Sequence, residues 1–306
     1  MSPASLIKTT MTMNKKAESF LEEKIKETEM EREKLKELEI LRDYDKDDRI
    51  ISSEEMREEM KEELLKSSIK MSSKIETLDR LIGGGFKAGT LTTITGITKS
   101  GKSTLARSIC SNLVSQKINS LYFSYEETEA EILEKFPKPY PIFYLPRKLS
   151  SMNTEWIHER IGEAVAKFGV RAVFIDNLDF LLSKDIYKLH GNISDLIKFI
   201  MIDLKNTVRY WEVAGFLLCH TTQEGTRRGV EIGDLKGSAS IAQISDFVIT
   251  IKRLKNKKTG LDGNKSKIKI LANRETGRCG EIKMVFENNQ LKEIDECAII
   301  DAENNS

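Results

Sequence analysis

Hydrophobic and polar positions alternate in two different ways along this chain. From Asn14 to Ser68 glutamate and lysine dominate, and neither glycine nor proline interrupts them. The apolar residues Leu21, Ile25, Leu35, Leu38 and Leu41 make only a broken stripe at helical spacing, which predicts an exposed helix more readily than a sustained heptad seam. The acidic stretch from Asp43 to Arg49 breaks that helix. Ser52 and Glu55 are then spaced as a capping box before a second helix with Met56, Met60 and Leu64 on one face. That short stripe needs a partner, either its own core domain or a neighbouring subunit.

From Lys74 onward strand-length apolar runs alternate with helical segments. Leu91 to Thr95, Ser120 to Ser124, Ala172 to Asp176, Gly215 to Cys219 and Phe247 to Ile251 are nearly continuous apolar runs, the mark of parallel strands covered on both faces. Lys267 to Leu271 and Glu281 to Phe286 alternate instead and flank the turn-like stretch Asn273 to Gly277, which predicts an antiparallel hairpin at the sheet edge. The expected organisation is α/β with a mostly parallel central sheet over 74–300, a charged α-helical N-terminal arm over 1–73, and a short tail over 301–306. No internal repeat is visible.

Composition refines this picture. About 32 % of the 306 residues are charged but 39 % are hydrophobic, enough for one sizeable core in a chain of this length. A net charge of +1 excludes nucleic-acid binding by bulk charge, so any such binding must come from local patches. The cysteines, Cys110, Cys219, Cys279 and Cys297, are far apart with no C-x-x-C pair, which predicts neither a disulfide scaffold nor a zinc site. No apolar run is long enough for a membrane span and no signal sequence opens the chain. A soluble, cytoplasmic protein is expected.

The strongest chemical signal runs from Gly96 to Thr104: a full G-x-x-x-x-G-K-[ST] match with Gly96, Gly101, Lys102, Ser103 and Thr104, after an apolar strand and before a helix over 105–114. Its glycines let backbone N–H groups turn inward around phosphates, Lys102 supplies a point charge to the β/γ-phosphates, and Ser103 ligates Mg2+. The implied cofactors are ATP and Mg2+. Asp176 ends a buried strand where open α/β sheets bind ligands and suits a metal-holding role, the alternative being a cap for the next turn. A carboxylate follows another strand at Glu126 or Glu127; Glu126 is the favoured candidate to polarise the attacking water.

These residues resemble a known group. The stretch Leu78-Asp79 to Gly89 before the P-loop looks like that of the RecA-like ATPases that include DnaB, Twinkle, KaiC and RadA. Phe123 to Glu126 resembles the DnaB-type strand with its glutamate, Asp234 to Asp246 is similar to the D-L-R-G-S…Q-x-x-D motif of ring helicases, and Asn273-Arg274 to Gly280 looks like their arginine-finger hairpin. The resemblance spans roughly 74–290. It implies that His220 senses the γ-phosphate and that Thr221 to Ser240 is a DNA-facing loop, with Arg227, Arg228, Lys236, Gly237 and Ser238 as nucleic-acid contacts. Donors on a Gly-containing segment suit phosphates rather than bases; a core histidine and a solvated loop are the plainer readings. It also implies that Arg274 acts as the finger. Ring helicases carry Lys two residues before that arginine, where this chain has Ala272, and the charged arm stands where they carry an N-terminal domain. The basic run Lys252 to Lys258 reads as a solvated hairpin tip or a further DNA contact.

The resulting expectation is a DnaB/Twinkle-type helicase, a hexameric ring that hydrolyses ATP between subunits and moves on single-stranded DNA, with replication partners reached through the arm. The alternatives are a KaiC- or RadA-like regulatory or recombination ATPase without unwinding activity, and a non-catalytic assembly factor.

Overall fold

The structure is a computed structural model that describes residues 23–24, 26–46, 49–60, 70–151, 153–182, 192–221, 238–255 and 262–294. The chain divides into two compact units, 1–63 and 64–306.

In the first unit residues 26–42 are helical (α1) and exposed throughout, as the charge pattern predicts. After the break, helix α2 (Ser53–Glu59) starts on Ser52, whose hydroxyl accepts from Glu55 N at 3.0 Å. Arg49 ties the break to this helix through Glu55 at 2.8 Å and Glu59 at 3.3 Å.

The second unit holds an eight-stranded sheet: β1 (Leu91–Gly96), β2 (Ser120–Ser124), β3 (Ala172–Asp176), β4 (Ala214–His220), β5 (Phe247–Lys255), β6 (Asp262–Asn273), β7 (Gly280–Glu287) and β8 (Gln290–Glu293). Their order is β2-β3-β4-β1-β5-β6-β7-β8. β2, β3, β4, β1 and β5 run parallel, and β6, β7 and β8 continue antiparallel. The fold is therefore mixed α/β with a mostly parallel sheet, as expected. β5 and β6 are longer than their apolar runs because their outer halves are polar, and β8 escapes the sequence pattern altogether.

Residues 70–73, assigned above to the arm, belong to this unit. Met71 pairs by a backbone bridge with Phe86 and is buried, and buried Ser73 donates to Asp79 Oδ1 and accepts from Ile75 N.

One sheet face packs on helices α3 (Glu76–Leu81) and α4 (Lys102–Ser115); the other packs on α6 (Thr154–Phe168), α7 (Ile193–Tyr210) and α8 (Ser238–Ile244), while α5 (Glu129–Glu134) follows β2. Tyr122, Phe174 and Phe216 lie in register across β2, β3 and β4 and stack, with centroids 5.5 Å and 4.5 Å apart. Phe86 meets Phe216 edge-on at 4.7 Å. Such cross-strand aromatic pairs contribute roughly 0.5–1.5 kcal/mol each beyond their burial, and this row carries the Tyr122 hydroxyl to within 3.2 Å of Asp176 Oδ2. The core thus reaches directly into the polar edge of the sheet.

Candidate nucleotide site

The sheet brings four predicted groups to one edge. In the strand registers Gly96 faces His220 and Ser124 faces Asp176, so β1, β2, β3 and β4 all end beside one another at their C-terminal ends.

The P-loop leaves β1 at Gly96 with φ +155°, passes Lys99 at φ +63° and enters α4 from Gly101 at φ +104°. A Cβ on Gly96 would lie 2.5 Å from Ser100 Oγ and 2.6 Å from Ile251 O, so the loop's closure requires glycine there. Ser100 Oγ is buried with no hydrogen-bond partner, a donor held inside the loop. Lys102 is buried; its Nζ donates to Gly96 O at 3.0 Å and Ile97 O at 3.1 Å and lies 3.1 Å from His220 Nδ1. Burial pulls its pKa below the ordinary lysine value, opposed by the charges of Asp176 and Glu126 among others. Ser103 and Thr104 open α4.

Asp176 is buried at the end of β3, and that burial pushes its carboxyl up while a hydrogen bond from Ser103 draws it down. The two residues expected to hold Mg2+ are thus already in contact. The cradle glycines, the unpartnered Ser100 hydroxyl and the Ser103–Asp176 pair all fit a nucleotide with its metal.

Glu126 and Glu127 part company in the structure. Glu127 is taken up by Arg107 at 3.0 Å and Lys135 at 2.7 Å. Glu126 turns to the site, accepting from Asn177 Nδ2 and lying 3.6 Å from His220 Nε2. An ammonium has only hydrogens to give, and two of the Lys102 hydrogens go to carbonyls. The third points to His220 Nδ1, and the ring's other nitrogen, Nε2, lies between Asn177 Nδ2 and the Glu126 carboxylate. Lys102, His220 and Glu126 form one continuous polar chain.

Asn177 is the residue that sequence reasoning missed. It is 1 % exposed, and its Oδ1 accepts from Asp179 N at 2.9 Å, which fixes the amide so that Nδ2 faces Glu126 and lies 3.2 Å from His220 Nε2. Its only sequence signal was a polar side chain directly after the buried strand's aspartate.

Arg274 lies elsewhere. Its N–H donates to Asp246 O at 2.9 Å, and Asp246 Oδ2 accepts from Leu91 N at 2.6 Å. Arg274 therefore sits by the start of β1, whereas the P-loop follows its end, a separation of roughly 16 Å at about 3.3 Å per residue. Buried Asn273 shapes the turn: Nδ2 donates to Leu81 O at 3.0 Å, Thr276 Oγ1 at 2.7 Å and Arg278 O at 2.9 Å, and Oδ1 accepts from Glu275 N and Thr276 N. Glu275 pairs with Lys87, and Lys205 with Asp246. Arg274 itself is exposed.

Arg227, Arg228, Lys236 and Gly237 lie outside the described residues, as does the tail 301–306; Ser238 is the first residue of α8. No described helix is long and apolar enough to cross a membrane.

Comparison with known proteins agrees with this geometry. Residues 71–138 match the family model described as "ATPase: KaiC". DNA repair protein RadA of Campylobacter jejuni is 30 % identical over 158 residues, 51 % of this chain and 34 % of the relative. RadA of Streptococcus pneumoniae is 28 % identical over 160 residues, 51 % of this chain and 36 % of the relative. The chain spans about a third of the length of these relatives. Among solved structures, a DnaB-like replicative helicase studied with primase superposes with TM-score 0.66 and 18 % identity over 80 % of this chain and 69 % of that one. A separately solved ATPase domain gives TM-score 0.66 and 18 % identity over 80 % of this chain and 99 % of that one.

Proposed function

The chain carries a RecA-like ATPase domain, and from that premise we propose that it hydrolyses ATP at an interface between its own copies and uses the cycle to move on single-stranded DNA. The observation that carries this reading is the position of Arg274, exposed at the end of the sheet opposite the P-loop. Such a cation can serve a γ-phosphate only on another copy of the chain.

Gly96, Gly101, Lys102, Ser103 and Thr104 would hold the phosphates, and Ser103 with Asp176 the Mg2+; the bound metal–nucleotide supplies the electrophilic phosphorus. Lys102 exchanges its carbonyl and imidazole acceptors for phosphate oxygens. That exchange frees His220 Nδ1, so His220 can report phosphate occupancy to Glu126, which it faces through Nε2. Glu126, held by Asn177, takes the proton of the attacking water, and Arg274 of a neighbouring copy offsets the charge developing on the γ-phosphate. Arg227, Arg228, Lys236, Gly237 and Ser238 are proposed to track the DNA backbone. The closed ring, expected to be hexameric, belongs to the same proposal.

The likeness to RadA in sequence and Ala272 in place of lysine favour a second reading, a recombination or regulatory ATPase that does not unwind duplex. Strand displacement from a forked DNA duplex with ATP separates the two. Unwinding that is abolished by Lys102→Ala supports the first; DNA-stimulated hydrolysis with no displacement supports the second.

A further inference from the structure

The outer half of the sheet has one face that no chemistry above uses. Alternation along β5 to β8 puts Ile251, Ile268, Ile270, Ile282, Met284 and Leu291 in the core, so their sequence neighbours point to the opposite side. There Lys252 pairs in register with Lys267, and Lys267 in turn with Lys283. Lys269 faces Glu281, Lys265 faces Val285, and Val285 faces Lys292. Five of these six lysines are exposed and Lys267 is half-buried. The helices on this side meet the antiparallel strands only near Leu271 and Ala272, among the described residues.

Three lysines directly abreast on adjacent strands oppose folding, because like charges in cross-strand pairs repel. On this face Glu281 lies 2.7 Å from Lys267 and Glu287 3.7 Å from Lys292, so Lys252, Lys265 and Lys269 are the charges on which the proposal rests. Acidic residues outnumber basic ones over 1–63, so the positive excess of this nearly neutral chain lies on the unit that holds the face.

We propose that this lysine face of β5–β8 binds the phosphate backbone of duplex DNA, as a site separate from the single-strand loop. Lysine is a point charge on a flexible stem, suited to phosphates without reading bases. Residues spaced two apart on β6, Lys265, Lys267 and Lys269, present charges roughly 6.6 Å apart on a rigid strand. Among its described residues the face carries no aromatic side chain: Phe286 shares the parity of the core residues Ile282 and Met284. Single-strand binding relies on aromatic platforms for unstacked bases, so charge without aromatics matches a duplex, whose bases are already stacked.

The site does not depend on ATP turnover, so its test is run on the full chain without nucleotide. Binding of a fluorescent blunt 30-base-pair DNA is followed across a salt series for wild type and for the triple variant Lys252→Gln, Lys265→Gln, Lys269→Gln. The variant should lose at least about tenfold in duplex affinity at low salt. The slope of log K against log salt should shrink by about 2–3, near 0.9 for each phosphate no longer neutralised. Single-strand affinity should hold, and the melting temperature should not fall, since a repulsive pair has been relieved. The matching Lys→Arg triple should keep duplex binding. Unchanged duplex affinity and slope would overturn the proposal. So would a variant that binds duplex normally but assembles differently, which would assign the face to the acidic arm of another copy.

Discussion

The two ends of the parallel strands are built on opposite plans. At the C-terminal ends, Lys102, Asp176, Asn177, Glu126 and His220 converge on one another, and burial shifts the first two away from their ordinary protonation behaviour. At the N-terminal ends, Asp246 and Glu275 are already matched by Lys205 and Lys87, and the turn hydrogen-bonds itself around Asn273 while Arg274 points outward. The first end is a site in tension and the second a rigid mount. The difference is what the proposed function turns on: in that reading one copy supplies both halves of a reaction centre that it cannot itself bring together.

Several substitutions would break or sharpen this contrast. Arg274→Ala should cost about 10³–10⁵ in turnover, the range for such fingers, with nucleotide affinity and melting temperature nearly unchanged; steady-state hydrolysis and nucleotide titration check it. Glu126→Gln should cost about 10²–10⁴ in rate while sparing ATP binding. Glu127→Gln should instead leave the rate within a few-fold and lower the melting temperature, because buried Arg107 loses its partner. A reversed pair of results would reassign the base.

Asn273→Ala should cost about 2–3 kcal/mol of stability, since several buried hydrogen bonds go at once, and should lower turnover only through displacement of Arg274; denaturant melts resolve the two effects. Asn177→Ala should slow turnover about 10–100-fold by letting Glu126 drift, and should also lower the melting temperature, because the buried amide no longer accepts from Asp179 N. A wild-type rate would show that Glu126 needs no such support.

Much of the C-terminal end was legible in the sequence because its groups sit on features with strong local patterns. The P-loop is a contiguous motif, Asp176 ends an apolar run, and β2 and β3 coincide with their predicted spans. Its place just after the strand favours Glu126 over Glu127; the fold separates them through Arg107, twenty positions before Glu127 in the chain. Asn177 was illegible because its role comes from contacts with Glu126 and His220, each more than forty residues away. At the other end, the hairpin turn was readable from Asn273 to Gly277, but its anchoring was not. Lys205, Asp246 and Lys87 come from three separate segments that only the sheet order brings together.

The central claim, that the finger serves a different copy from its P-loop, is tested most directly by mixing two inactive proteins. A Lys102→Ala copy lacks a working site but keeps Arg274, and an Arg274→Ala copy keeps its site but lacks the finger. ATP hydrolysis measured as the two are mixed in varying ratio, with co-assembly verified by differently tagged copies, should rise from near zero to a maximum at intermediate ratios. Assemblies that contain both copies yet stay inactive at every ratio, or full activity of Arg274→Ala alone, would contradict it.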